Sequence, residues 1–198
     1  MSLYLAGFFF MMNTDINKAL EVLTKGGLLL YPTDTIWGIG CDATDAAAVK
    51  RIYTLKQRDD AKSLIVLLAE AKDIFKYVAN PHPDIVSIVQ EFDRPTTVIY
   101  EQAIGLPNNL VNQDGSIAIR VTKDHFCKSL IKRLKKPLVS TSANISGRPS
   151  PRSFSDIEQE VKEGVDYIVD YRRTEENNGP ASRILRILAD GNVEIIRP

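Results

Sequence analysis

Three polar clusters adjoin apolar runs of strand character, and each carries side chains suited to holding phosphate or carboxylate groups. They are Tyr31-Pro32-Thr33-Asp34-Thr35 after Leu28 to Leu30, the KQRDDAK segment from Lys56 to Lys62 ahead of the run Ser63 to Leu68, and Ser140 to Asn144 (STSAN) after Leu138-Val139. Lys56, Arg58 and Lys62 put three cations within seven residues, Arg as a planar fork and Lys as a point charge, a density that suits several phosphoryl oxygens. Ser140, Thr141, Ser142 and Asn144 add hydroxyls and an amide that can cradle phosphate or sugar oxygens. Taken singly, each cluster has a plainer use. A Lys-x-Arg string is most often a solvated helix end, a hydroxyl-rich turn is usually a cap or Asx-turn, and the ordinary role of Asp34 is to cap its own loop. Taken together they fall where strands end, and in open α/β sheets ligands bind in the crevice at the carboxyl ends of strands.

Other chemistries lack their residues. There is no GxxxxGK[ST] and no GxGxxG, so neither standard nucleotide fold is indicated. Cys41 and Cys127 stand far apart without CxxC spacing, and with only His82 and His125 a protein metal site is not expected. No Ser-His-Asp or Cys-His arrangement is present; His125 follows the helix-capping Asp124, Cys127 falls on the apolar side of the same helix, and both read as structural.

The elements that must position these clusters alternate between strand and helix. The pattern predicts a helix from Thr14, capped by that residue and closed by Gly26-Gly27, then a buried strand from Leu28 to Tyr31 and a helix from Asp45 to Leu55. Residues 71–92 read as two helices split by Asn80-Pro81. Strands are expected at 96–100, 116–121, 138–139 and 167–169, helices at 124–135 and 155–163, and a hairpin at 183–188 and 193–197 turned by Asp190-Gly191. This predicts an α/β sheet with some antiparallel pairing, in a single domain spanning 1–198. Residues 1–12 read as an extension ahead of it, and Met11-Met12 offers an alternative start to Met1.

Composition bounds the partners. The 198 residues are 44% hydrophobic and carry 25 Lys plus Arg against 25 Asp plus Glu, so no net charge steers the molecule toward nucleic acid or an anionic membrane. Any basic patch must be local. The apolar run Leu3 to Met12 is about half of the roughly 20 residues a bilayer span needs, and it lacks a basic flank and a cleavage site, so the expectation is a cytoplasmic protein.

Five segments in order, YPTDTIWGIGCDATD, LKQRDDAKSLIVLL, SIAIRVTKDH, KKPLVSTSANISGRPSP and PASRI, resemble the YrdC-type threonylcarbamoyl-AMP synthase family in its short, single-domain form, over about Thr14 to Arg197. The resemblance implies a twisted, open, mixed β-sheet flanked by helices around a basic cavity. It implies a nucleotidyltransferase that makes threonylcarbamoyl-AMP from L-threonine, bicarbonate or CO2, and ATP with its Mg²⁺, for t6A modification of tRNA, and that passes the product to tRNA-modifying partner proteins. By the same resemblance Lys56, Arg58, Ser142 and Asn144 form the catalytic KxR…SxN tetrad on ATP. Lys62, Ser116, Ser150 and Arg197 also contact ATP, and Thr35, Arg120, Ser140 and Ser182 hold threonine. For Arg120 the residue-level reading agrees, since a guanidinium at a strand end suits a carboxylate.

Two departures stand out: Phe92-Asp93-Arg94-Pro95-Thr96-Thr97 replaces a WPGPxT string, so Arg94 takes a glycine position, and Ser63 replaces a proline. The alternative is an RNA-binding or YciO-like member of the superfamily without synthase activity. Lys123, Lys128, Lys132, Arg133, Lys135 and Lys136 form a basic stripe of the kind that contacts a phosphate backbone of tRNA or double-stranded RNA, although a solvated basic face is the commoner use. The retained Asn144 weighs against the YciO-like branch.

Overall fold

The computed structural model describes residues 3–58, 64–175, 181–187 and 193–198. Helix α1 (Leu3–Thr24) starts well before Thr14. Thr14 is therefore no cap: its hydroxyl donates to the Phe10 carbonyl at 3.0 Å, one turn back, and the apolar run 3–12 continues the helix through it. Its other end is as expected, with Gly26 in the left-handed region (φ 74°) and the Gly27 N–H returning to the Val22 carbonyl.

Strands β1 (Leu29–Tyr31) and β2 (Gly38–Gly40) are followed by α2 (Ala46–Leu55), whose first turn is capped by Asp45 accepting from the amides of Ala47 and Ala48. β3 (Ile65–Leu68) leads into a 3₁₀ helix (Ala71–Lys76) and a short α3 (Ile85–Gln90), the two helical segments expected either side of Asn80-Pro81, both shorter than expected and the first 3₁₀ rather than α. Then come β4 (Thr96–Tyr100), β5 (Ile117–Val121), α4 (His125–Leu134, capped by Asp124) and β6 (Leu138–Ser142). α5 (Gln159–Glu163) begins four residues later than expected, because the Asp156 carboxylate gathers the amides of Arg152 and Ser153 into a turn ahead of it. β7 (Tyr167–Ile168), β8 (Arg183–Ile187) and β9 (Val193–Arg197) complete the order. β8 and β9 pair antiparallel as the hairpin reading requires, while the Asp190-Gly191 turn lies outside the described residues.

Among the described residues the strands form one mixed sheet in the order β7-β1-β2-β6-β3-β5-β4-β8-β9, with β1/β7, β3/β5 and β4/β8 parallel. The fold is thus an α/β fold with an open, mixed sheet flanked by helices. β2, which the sequence pattern did not reveal, exists because β2 and β6 approach closely at Gly40. A Cβ there would lie 2.3 Å from the Val139 carbonyl and 2.7 Å from the Tyr31 ring, so only glycine fits.

Strand alternation divides the core. Leu28, Leu30, Val66, Ile119 and Val139 face α2, α3 and α5, packing on Val49, Ile52, Ile85 and Val161. Leu29, Tyr31, Leu67 and Leu138 face the other way, against Ile16, Ala19 and Leu23 of α1 and Phe126 and Leu130 of α4. On that second side Ile99, Ala118 and Ile184, from β4, β5 and β8, meet neither helix and floor a cavity instead. No helix among the described residues is long and apolar enough to cross a membrane.

Candidate active site

The cavity holds about 290 Å³, close to the lower end of the range for small-molecule sites. Its rim begins with the loop after β1. Thr33 Oγ donates to the Ile36 carbonyl (2.7 Å) and accepts from the Thr35 amide (3.1 Å), which closes a tight polar turn and turns the Thr35 hydroxyl toward Arg120. Arg172, itself left-handed at φ 65°, binds both the Thr33 carbonyl (3.5 Å) and the Asp124 carboxylate (2.8 Å), joining this loop to the start of α4.

α2 delivers Lys56 and Arg58 to different places. Gln57 between them is left-handed (φ 49°) and is held by its amide to Glu160 of α5 at 2.9 Å. Arg58 lines the cavity. Lys56 is 1% exposed, and its ammonium lies under the STSAN turn, donating to the main-chain carbonyls of Ser142 (2.5 Å) and Asn144 (2.6 Å), with Asn144 Oδ1 at 3.5 Å. Burial, and then the charge of Arg58, push the Lys56 amine down to about 7. The amide of Ser146 donates to the Lys56 carbonyl, and Asn144 Nδ2 reaches the Arg148 carbonyl at 2.6 Å, so both ends of Lys56 and the side chain of Asn144 fix the shape of the turn. Lys56 and Asn144 thus stand behind the cavity wall, and the hydroxyls of Ser140, Thr141 and Ser142 form the wall itself.

Opposite stands Arg120, 3% exposed on β5. Its Nη1 donates to Thr35 Oγ at 3.3 Å and its Nη2 pairs with Asp34 Oδ1 at 3.2 Å. Arg197 of β9 donates twice to the Ser182 carbonyl (3.1 and 2.7 Å), and the Ser182 hydroxyl shares a hydrogen bond with Thr97 at 2.9 Å. Burial and the nearby charge of Arg120 hold the Arg197 guanidinium below its usual pKa, and burial does the same for Arg58. Three guanidinium groups therefore converge with Asp34 as the carboxylate at Arg120, an environment that attracts anionic ligands.

Of the twelve site residues the resemblance assigns, Thr35, Arg58, Arg120, Ser140, Ser142, Ser150, Ser182 and Arg197 share this cavity. Lys62 and Ser63 lie outside the described residues. Ser116 is elsewhere: at the entry to β5 it lines a separate cavity with Glu101, Gln102, Asp114 and Arg186, donating to Asp114 (2.6 Å) and accepting from Asn112 (2.9 Å). Arg94 is not among the left-handed residues, so the glycine position it occupies needs no glycine in this chain. Sequence reasoning missed Trp37, which lines the cavity and packs on Phe154 at 5.0 Å, and it missed Arg172; neither belongs to a periodic pattern that would mark it. Much of the basic stripe is engaged within the chain. Lys128 and Lys132 pair with Glu70, Lys136 with Asp42, Arg133 with Asn17, and Lys123 with the Phe92 carbonyl.

A family profile, Sua5_yciO_yrdC, described as Telomere recombination, matches residues 21–198. The chain belongs to this family. Within the Sua5/YciO/YrdC group its relatives include a threonylcarbamoyl-AMP synthase of Idiomarina loihiensis, 31% identical over 92% of this chain and 97% of that protein. Another, from Stutzerimonas stutzeri, is 33% identical over 92% and 96%. Among solved structures, P. abyssi Sua5 complexed with L-threonine superposes with a TM-score of 0.83 at 26% identity, over 92% of this chain. The chain spans about half the length of that protein, 53%. E. coli YciO, at 22% identity and a TM-score of 0.74, shares the fold.

Proposed function

We propose that this protein is a threonylcarbamoyl-AMP synthase, joining L-threonine, bicarbonate or CO2, and ATP with release of pyrophosphate, in the cytoplasm, as the donor-forming step of tRNA t6A modification. The observation that carries the reading is the convergence of eight of the twelve residues the resemblance assigns, three of them arginines, on one cavity. The related synthases cover nearly their full length in this chain, and a Sua5 relative binds threonine in the same fold, which supports the substrate class.

In this reading Arg120, with Thr35, Ser140 and Ser182 around it, takes the threonine carboxylate and hydroxyl. Arg58, Arg197, Ser142 and Ser150 take the triphosphate, while Lys56 and Asn144 act through the turn they shape. The threonine ammonium gives up a proton to solvent, the neutral amine attacks CO2 as one C=O π pair moves onto oxygen, and a second N–H proton leaves to solvent to give a carbamate. A carbamate oxygen then attacks the α-phosphorus, the P–O bond to the β-phosphate breaks, and pyrophosphate leaves with the electron pair. No covalent bond to the protein is needed. The chain supplies orientation and stabilises charge on phosphoryl oxygens. The cavity offers cations and hydroxyls rather than a carboxylate cage, so Mg²⁺ enters on the triphosphate as part of the substrate. The labile mixed anhydride is then handed to separate tRNA-modifying proteins.

Pyrophosphate release that requires both L-threonine and bicarbonate, with the adenylate detected by mass spectrometry, tests the proposal. Release with neither co-substrate, or none with both, contradicts it.

A further inference from the structure

The geometry points to Asp34 as the positioning residue for threonine, acting through Arg120. The inference rests on the function proposed above and goes beyond it, because Asp34 does not itself line the cavity and would touch neither substrate.

Three observations carry it. Arg120 is almost fully buried, and Asp34 is the carboxylate paired with it, at 3.2 Å. That pair is incomplete: Asp34 Oδ1 and Arg120 Nε are both buried and neither makes a hydrogen bond within the described chain. The remaining links are long, Thr122 Oγ to Asp34 Oδ2 at 3.4 Å and Arg120 Nη1 to Thr35 Oγ at 3.3 Å. A buried guanidinium needs a counter-charge, and a fully bidentate partner would consume the fork that a ligand carboxylate must use. Asp34 meets the guanidinium through Nη2 alone, a single contact rather than a bidentate one, and does so from outside the cavity lining. The loop that carries Asp34 also carries Thr35, so one short turn sets both the direction of Arg120 and the hydroxyl beside it.

The rival role predicts the opposite sign. If Asp34 merely neutralised Arg120, it would compete with the ligand carboxylate, and removing its charge would tighten threonine binding. If it orients Arg120, Asp34→Asn weakens it. The loss expected for one contact to a charged group is about tenfold or more in affinity.

The test is calorimetric titration of L-threonine into the folded wild type and Asp34→Asn, with and without ATP, beside a titration of ATP alone. Expected is a threonine Kd raised about tenfold or more with ATP affinity within about twofold, and Arg120→Ala abolishing threonine binding. Unchanged or tighter threonine binding in Asp34→Asn overturns the inference, as does an equal loss for both substrates, which would make Asp34 a general shaper of the cavity. Should Asp34→Asn fail to fold, Thr122→Val keeps both charges and removes the hydroxyl on Oδ2; it also removes the acceptor of the Asp124 amide, whose side chain still caps α4. It must then weaken threonine binding in the same direction and spare ATP, and wild-type threonine affinity in it overturns the inference. A wild type that binds no threonine under either condition fails the functional reading itself, and with it this role, a result distinct from a wild type that binds and a variant that binds equally well.

Discussion

Replacing Lys56 by Met separates the turn-shaping role of this side chain from its charge. Methionine has a similar length and volume, so the packing is largely kept, while the carbonyls of Ser142 and Asn144, now bonded at 2.5 and 2.6 Å, lose their buried donor. An orphaned buried acceptor costs about 1–3 kcal/mol, so two cost roughly 2–6 kcal/mol before any water reaches them. For a chain of this size a loss of about 3 kcal/mol lowers Tm by roughly 6–12 °C. The cost depends on pH in a set direction. The folded-state amine is pushed from 10.5 down to about 7, so between those values the unfolded chain holds the proton more tightly. Wild-type stability therefore rises with pH across that window, by at most about 1.4 kcal/mol per unit, and a neutral amine still has two N–H bonds for the two carbonyls. Methionine has no such slope. Urea denaturation of both proteins at pH 6 and pH 9 should show Lys56→Met less stable, with the wider gap at pH 9. An equal gap at both values refutes the perturbed amine, and no gap at pH 9 refutes the clamp.

Arg58→Ala, which removes one of the three guanidinium groups from the cavity, is expected to lower the rate of pyrophosphate release by on the order of 100-fold or more. A folded variant with the parent rate would take Arg58 out of the chemistry. Gly40→Ala places a methyl 2.3 Å from the Val139 carbonyl and forces β2 from β6, so it should cost roughly 1–3 kcal/mol or more; thermal unfolding at the wild-type temperature would contradict the close approach.

How much of this was legible in the sequence depends on the range of the interaction. The caps at Asp45 and Asp124 were, because a carboxylate and the amides two or three residues on are local. Thr14 carried the same signal and was not a cap, since helix formation upstream had already satisfied its hydroxyl. β2 reads as a loop, Gly-Ile-Gly, and becomes a strand only where β1 and β6 flank it. Lys56 was marked by type as a phosphate cation, yet its ammonium is held by the carbonyls of Ser142 and Asn144, more than eighty residues on, contacts no local pattern encodes.

The same distinction explains why the site could be nominated but not drawn. Its polar members differ in type from their neighbours and so could be picked from the sequence. The floor could not, because Ile99, Ala118 and Ile184 look like any core residue of a strand buried on both faces. What makes them a floor is that α1 and α4 pack beside β1 and β3, leaving these three positions over β5, β4 and β8 to the cavity. That vacancy follows from strand order rather than strand composition, since β5 enters the sheet next to β3 while β1 and β7 end up at the far edge under α1. The cations then gather there by alternation. Arg120 falls two residues from Ala118 on the same face, and the β8–β9 pairing brings Arg197 opposite Ile184. A change of strand order that kept every motif would scatter the arginines, so the motifs specify chemistry only through the sheet that collects them.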